Sequence, residues 1–154
     1  MNVRPIAPEF AVSSQIRPED LREVRRLGFQ TVVVARPDDE ETDQPSIAEM
    51  RNAAATAGLG FAAVPVRPGH VTDADVESFA AAMKATVGPV LGYCRTGARA
   101  ATLWALNAAD ALEPDVILSS AAVAGHDLGA LRARLAQRRG DASGLRSHAK
   151  DQST

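Results

Sequence analysis

Apolar positions along the chain switch between two periods, continuous β-branched runs and helical spacing. Thr31-Val-Val-Val-Ala35 is apolar without interruption, as expected of a central strand covered on both faces. Phe10-Ala-Val-Ser13 reads as a short edge strand, and Val90-Leu-Gly-Tyr93 reads as a strand of the same sheet. Phe61 to Val66 reads as a further strand, with Pro65 near its end, where a missing N–H donor is tolerated. Helical segments lie between them. Pro18 to Leu27 opens on Pro with Glu19 and Asp20 in its first turn and stops at Gly28. Ser46-Ile-Ala-Glu49 is a capping box for a helix ending near Gly58, and Thr72-Asp-Ala-Asp75 opens another that runs to about Val87. Ala100 to Ala111, Pro114 to Ala124 and Leu128 to Arg139 complete the helices. From Gly140 the chain is small and polar, so residues 140–154 are expected to be a disordered tail. Strands separated by helices imply right-handed βαβ units. The expected fold is three-layer α/β, a mostly parallel sheet of four to five strands flanked by helices, in one domain over 1–139.

Composition narrows the chemistry without choosing it. A chain of 154 residues suits a single domain. One Cys and three His exclude a disulfide framework and disfavour a Cys/His zinc site, so no metal or cofactor is expected. No apolar run approaches the roughly 20 residues of a membrane span, and Met1-Asn-Val-Arg-Pro5 lacks a signal-peptide core, so a cytoplasmic location is expected. A formal charge of −2 argues against a nucleic-acid binder.

The sharpest local feature is Tyr93-Cys94-Arg95-Thr96-Gly97-Ala98-Arg99, between a strand and a helix. Ligands of parallel sheets bind at the carboxyl ends of strands. A loop entering a helix aims backbone N–H groups at one spot with the positive end of the dipole behind them. Gly97 permits the tight turn, and Arg99 offers a planar fork to an oxyanion. That field should hold Cys94 as a thiolate nucleophile. A lone Cys is more often a small buried hydrophobe, but the Arg and Gly residues around this one tip the balance. Such a loop suits covalent transfer of a phosphoryl group or a sulfur atom.

Val12-Ser-Ser-Gln15, Arg36-Pro-Asp-Asp-Glu40, Gln44-Pro45, Val64-Pro-Val66, Gly88-Pro-Val-Leu91 and the loop itself, followed by Leu103-Trp-Ala-Leu106, resemble the phosphatase-like domain of the beta-lactamase-hydrolase-like proteins. The resemblance runs from about residue 8 to about residue 138. It implies a fold like that of the dual-specificity tyrosine phosphatases, with Cys94 as nucleophile and Arg99 as oxyanion binder. Members of that family are fused to, or associated with, persulfide-oxidising enzymes. A partner of that kind, or a sulfide-oxidising one, is therefore expected.

The reaction stays open at this level. Four residues separate Cys94 from Arg99, the rhodanese spacing, where tyrosine phosphatases have five. Phosphoester cleavage profits from a general acid, yet Val66-Arg-Pro-Gly-His70 supplies no Asp where phosphatases of this fold carry one. Ala100 also stands where they usually have Ser or Thr. Sulfur transfer needs no acid, because its leaving group is already good. The first expectation is therefore sulfane-sulfur transfer from thiosulfate or a persulfide to a thiol. The alternative is a phosphatase acting on phosphomonoesters, phosphotyrosine and phosphoserine included, and the third is a non-catalytic anion- or partner-binding module. For either reaction the substrate is a small anion that carries sulfur or phosphate.

Arg36 and Arg67 follow strands and should reach the sheet edge that carries Cys94, where each can bind an anionic substrate. Ser14 and Gln15 are candidate wall residues. Asp38, Asp39 and His70 are the candidate acids, although the run of acids from Asp38 to Glu41 can instead pair with Arg36 and Arg99. Asp73 and Asp75 read as helix-start residues, Trp104 and Phe79 as core. Strand alternation should turn Tyr93 away from the site. Leu131 and Leu135 mark an amphipathic helix that either closes the core or forms a homodimer contact.

Overall fold

The computed structural model describes residues 1–152, with side chains as far as Gly144. Its five strands are β1 (Arg4–Ala7), β2 (Phe10–Ser13), β3 (Thr31–Val34), β4 (Gly60–Ala63) and β5 (Val90–Tyr93). They form one sheet in the order β1-β2-β5-β3-β4. β1 pairs antiparallel with β2, and the other three pairings are parallel. Ser13, Tyr93 and Val34 end at one level, because Tyr93 is in register with both of the others. The residues that follow β2, β3 and β5 therefore emerge together at the carboxyl edge of the sheet.

Six helices cover this sheet on two sides, as the strand alternation requires. Val32, Val34, Leu91 and Tyr93 pack against Leu21 and Val24 of α1 (Leu21–Arg26) and Met50 and Ala54 of α2 (Ile47–Thr56). Phe10, Val33 and Val90 face the other way. There they join Phe79 of α3 (Asp73–Ala85), Leu103 and Trp104 of α4 (Ala98–Ala108), Ile117 of α5 (Pro114–Val123) and Leu135 of α6 (Arg132–Gln152). Successive residues of the valine run thus serve opposite cores. The three-layer α/β expectation holds, Tyr93 is turned from the site, and Leu135 closes the core. No helix among the described residues is long and apolar enough to cross a membrane.

Gly92 decides how closely α4 approaches β5. A Cβ there would lie 2.7 Å from Phe10 Cζ and 3.3 Å from Ala100 Cβ. Bare backbone lets the first turn of α4 rest directly on the strand that delivers Cys94.

Several boundaries differ from the sequence pattern. Phe10–Ser13 is not an edge strand, since β1 lies outside it; β1 opens on exposed Arg4 and Pro5 and lacks the apolar run that marks its neighbours. β4 stops at Ala63, short of Val66. The Val64 and Val66 N–H groups still donate to Val34 and Ala35 carbonyls, but Pro65 between them has no donor to continue a ladder. α4 opens at Ala98, which places Arg99 in its first turn. A 3-10 turn at Gly129–Leu131 precedes α6, which runs on to Gln152 where a disordered tail from Gly140 was expected. Once nucleated, a helix gains one backbone bond per added residue, and Ala, Arg and Lys in this stretch favour extension. The rest of the expected tail, Ser153 and Thr154, lies outside the described residues.

Candidate active site

Cys94 follows β5 directly, and Arg95, Thr96 and Gly97 turn the chain into α4. Gly97 makes the turn at φ 96°, in the left-handed region that a side chain resists. Its N–H points at the Cys94 sulfur, 3.1 Å away. The sulfur thus sits at the positive end of an 11-residue helix. Thr96 Oγ1 accepts from the Ala98 N–H at 3.3 Å, while the Arg95, Thr96 and Arg99 N–H groups have no partner among the described residues. Unpaired N–H groups at a helix start are the makings of an anion site. The loop is tied to the end of β2, where the Gln15 N–H donates to the Arg95 carbonyl at 3.1 Å. His126, after α5, backs the turn: a Cβ on Gly97 would stand 3.1 Å from its Nε2 and 3.4 Å from the Ser13 carbonyl. Burial pushes the His126 imidazole below its ordinary value, which suits a neutral ring beside a positive helix end.

A buried ion network flanks the loop. Arg99 donates through Nη1 to Glu40 Oε2 at 2.7 Å and to the Val66 carbonyl at 2.8 Å, and through Nη2 to Glu40 Oε1 at 2.9 Å. A guanidinium has five N–H donors, so the Nε–H and one terminal N–H on the same edge remain for a ligand. Burial alone would lower Arg99, but the Glu40 hydrogen bond, the Cys94 and Glu40 charges and contact with Cys94 outweigh it and raise the group. Glu40 also accepts from Arg36 Nε at 2.7 Å, and Arg36 Nη1 donates to Gln15 Oε1 at 2.8 Å. Hydrogen bonding to Arg99 holds Glu40 below the usual carboxylate range, with Arg36 adding to the effect against the cost of burial. Arg36 is 1% exposed, and its Nη2 has no hydrogen bond, only a 3.4 Å ionic contact with Glu41. Arg95, exposed at the rim, pairs with Glu41 at 3.0 Å.

These groups line a cleft of about 440 Å³, walled by Arg36, Glu40, Glu41, Pro68, Arg95 and Arg99. Cys94 is buried and lies outside that wall. Thr96 and Ala98 also line the cleft, and both are exposed.

Residues 2–111 match the family described as beta-lactamase hydrolase-like protein, phosphatase-like domain. The chain belongs to this family. Beta-lactamase hydrolase-like proteins of Xylella fastidiosa are 36% identical over 107 residues, which is 70% of this chain and 25% of theirs. The protein of the same description from Agrobacterium fabrum is 34% identical over 104 residues, 68% of this chain and 24% of that one. The chain therefore spans about a quarter of the length of these relatives. Among solved structures, a candidate phosphatase from Neisseria meningitidis is 34% identical with a TM-score of 0.80, over 90% of this chain and 99% of that one. The core catalytic domain of the S. cerevisiae PP-IP phosphatase Siw14, in complex with citrate, has a TM-score of 0.66 at 17% identity. It covers 99% of this chain and 93% of its own, a likeness of fold alone. These relationships favour the phosphatase expectation over the sulfur-transfer one that the loop spacing, the missing acid and Ala100 put first.

Within this phosphatase-like domain the expected residues part company. Gln15 and Arg36 join the network, Gln15 through both its backbone and its side chain. The Ser14 side chain has no hydrogen bond among the described residues; its carbonyl accepts from Ser13 Oγ at 3.0 Å. Arg67 is exposed and outside the cleft wall, which takes up Pro68 and Gly69 after it instead. Asp38 is not placed as an acid: its Oδ1 accepts from the Ile47 N–H at 2.8 Å, at the first turn of α2. Asp39 is exposed in a left-handed turn at φ 65°. His70 is exposed and lines an adjoining cleft rather than this one. Asp73 and Asp75 do begin α3, and Trp104 and Phe79 are core. Glu40 is the residue that belongs among the site candidates. The Arg-Pro-Asp-Asp-Glu segment already held its signal, one acid able to reach two arginines. Nothing in the sequence around His126 marks its place behind Gly97.

Proposed function

We propose that the chain is a cysteine-dependent phosphatase that cleaves phosphomonoesters through a phosphocysteine on Cys94. The observation that carries this reading is the pairing of the Cys94 sulfur, under the Gly97 N–H at the start of α4, with the unused edge of Arg99. Two parallel N–H groups match two oxygens of a phosphoryl group, and Glu40 and the Val66 carbonyl hold the far side of the guanidinium. The thiolate attacks phosphorus, so a P–S bond forms and the P–O bond to the leaving group breaks. Water then attacks phosphorus, returning the thiolate and releasing inorganic phosphate. Cys94 is fully buried, so its sulfur meets substrate only with some movement of the atoms around it.

No carboxyl group in the cleft is set up to deliver a proton. Glu40 is held ionised by two arginines, and Glu41 is ion-paired. The leaving oxygen must then depart with little help, which favours aryl phosphates over alkyl phosphates.

The test is turnover of 4-nitrophenyl phosphate and glycerol phosphate by wild type and Cys94→Ser, with acid-quenched mass spectrometry of the protein. The expected result is aryl-selective turnover, a phosphoryl group trapped on Cys94 and neither in the variant. No phosphoryl transfer, together with a sulfur atom gained on Cys94 from thiosulfate, would overturn this reading in favour of sulfur transfer.

A further inference from the structure

A second cleft of about 440 Å³ opens beside the first and shares Gly69, Ala98 and Arg99 with it. Its other walls come from His70, Val71, Thr72, Thr102, Leu131 and Arg134. The two clefts thus adjoin at Arg99, so a group attached to a phosphoryl there has the second cleft as its neighbour. Its chemistry differs from that of the first cleft. Glu40 and Glu41 line the first, whereas no carboxylate lines the second.

Leu131 packs against the core and, with Val71 and Ala98, gives the second cleft apolar surface. Thr102 presents little polarity, because its hydroxyl donates to the Ala98 carbonyl at 2.8 Å. Arg134 is fixed in place by the Val71 carbonyl at 2.7 Å and Asp73 at 3.1 Å, yet its side chain stays one-third exposed. Asp73 is shared with Arg138 and Asp75 is bonded to the Thr72 N–H, but neither carboxylate lines the cleft, whereas Arg99 and Arg134 do. His70 is exposed, and its side chain has no partner among the described residues. An apolar cleft with cationic and N–H donors at its rim fits a flat ring that ends in an acid.

We infer that this second cleft is the leaving-group site, and that it selects aryl phosphates carrying an acidic arm beyond the ring. The inference rests on the phosphatase reading for its reaction, but its binding claim can be tested separately. The first arm seats the ring, through apolar contact with Leu131, Val71 and Ala98. The second reads the acid, through Arg134 and His70.

Two isosteric esters separate charge from shape: 3-(4-phosphonooxyphenyl)propanoate and its primary amide. Wild type should show a roughly two- to fivefold lower KM for the acid, the size of one partly exposed charged contact. His70→Ala should shrink that ratio, and Thr102→Phe, which fills the cleft, should raise KM for both esters more than it changes kcat. Equal KM values for acid and amide in wild type would overturn the inference. So would a preference that survives both substitutions. Should neither ester be hydrolysed, turnover of 4-nitrophenyl phosphate judges the phosphatase reading and the cleft is judged by binding alone. Both esters are then titrated into the Cys94→Ser protein and into the same protein with His70→Ala. Tighter binding of the acid that depends on His70 keeps the cleft assignment, and equal binding removes it.

Discussion

Replacing Glu40 by Gln removes one charge from a network that has little else to replace it. The carboxylate accepts from Arg36 at 2.7 Å and from Arg99 at 2.7 and 2.9 Å. Arg36 and Arg99 are 1% and 8% exposed, and the Glu40 side chain 19%, so the lost partners cannot simply be replaced by water. Breaking a buried ion pair from one side costs about 3–5 kcal/mol, and the partial exposure of Glu40 with the remaining amide acceptor puts this case near about 3 kcal/mol. For a chain of this length that is a fall of roughly 6–12 °C in Tm near neutral pH. The pH dependence gives a second handle. The folded state holds Glu40 below its ordinary value, so its contribution is complete above the unfolded value of about 4.3 and is lost as pH falls through the lower folded value. The Tm gap between wild type and Glu40→Gln should therefore narrow as the pH is taken from about 7 to about 3.5. In aryl phosphate turnover, kcat should drop by about 10²-fold with a smaller change in KM, because Arg99 loses the clamp on its far side. Thermal melts across pH and steady-state kinetics measure both. An unchanged Tm gap from neutral to acid pH, or a variant with wild-type kcat, would refute the assignment of Glu40 as the residue that positions Arg99.

Arg99→Lys keeps the charge but loses the two-pronged edge, so kcat/KM for 4-nitrophenyl phosphate should fall by about 10²–10³-fold while the melt changes less. Gly97→Ala places a Cβ at φ 96° and 3.1 Å from His126 Nε2; a loss of about 1–2 kcal/mol in denaturant titration, with a lower kcat, is expected. Asp38→Ala should cost about 1 kcal/mol through the first turn of α2 and leave kcat within about twofold, and a drop of tenfold or more would make Asp38 an acid after all.

The sheet was legible in the sequence because its central strands are fully covered. The valine run of β3 is apolar throughout, and Gly88-Pro89 punctuates the chain just before β5. β1 was invisible for the opposite reason: an outer strand of four residues, two of them exposed, has too little pattern to register. The loop could be read because its function is local, with Cys94, Gly97 and Arg99 all within six positions. The wall around it is assembled at long range. Arg99 meets Glu40 across 59 positions and the Val66 carbonyl across 33, contacts that only the sheet order brings about. Asp38 and Glu40 look alike as letters in one acidic run. Which of them turns inward depends on the left-handed residue between them and on the Ile47 N–H that claims Asp38.

The loop spacing and the missing acid acquire a common meaning once Glu40 is placed. A carboxylate locked between Arg36 and Arg99 cannot also carry the proton for a leaving oxygen, and the same lock keeps the ligand edge of Arg99 aimed and unpaired. The chain thus spends its one inward-facing acid of the run on orienting the oxyanion binder rather than on proton delivery. In the proposed reaction, a short loop around Cys94 with such a fixed arginine would stabilise charge developing on the phosphoryl oxygens and leave departure of the product oxygen to the chemistry of the substrate. The spacing, the missing acid and Ala100 pointed to sulfur because they register what the loop lacks. The arginine network behind the loop supplies what a phosphoryl group's charge would need.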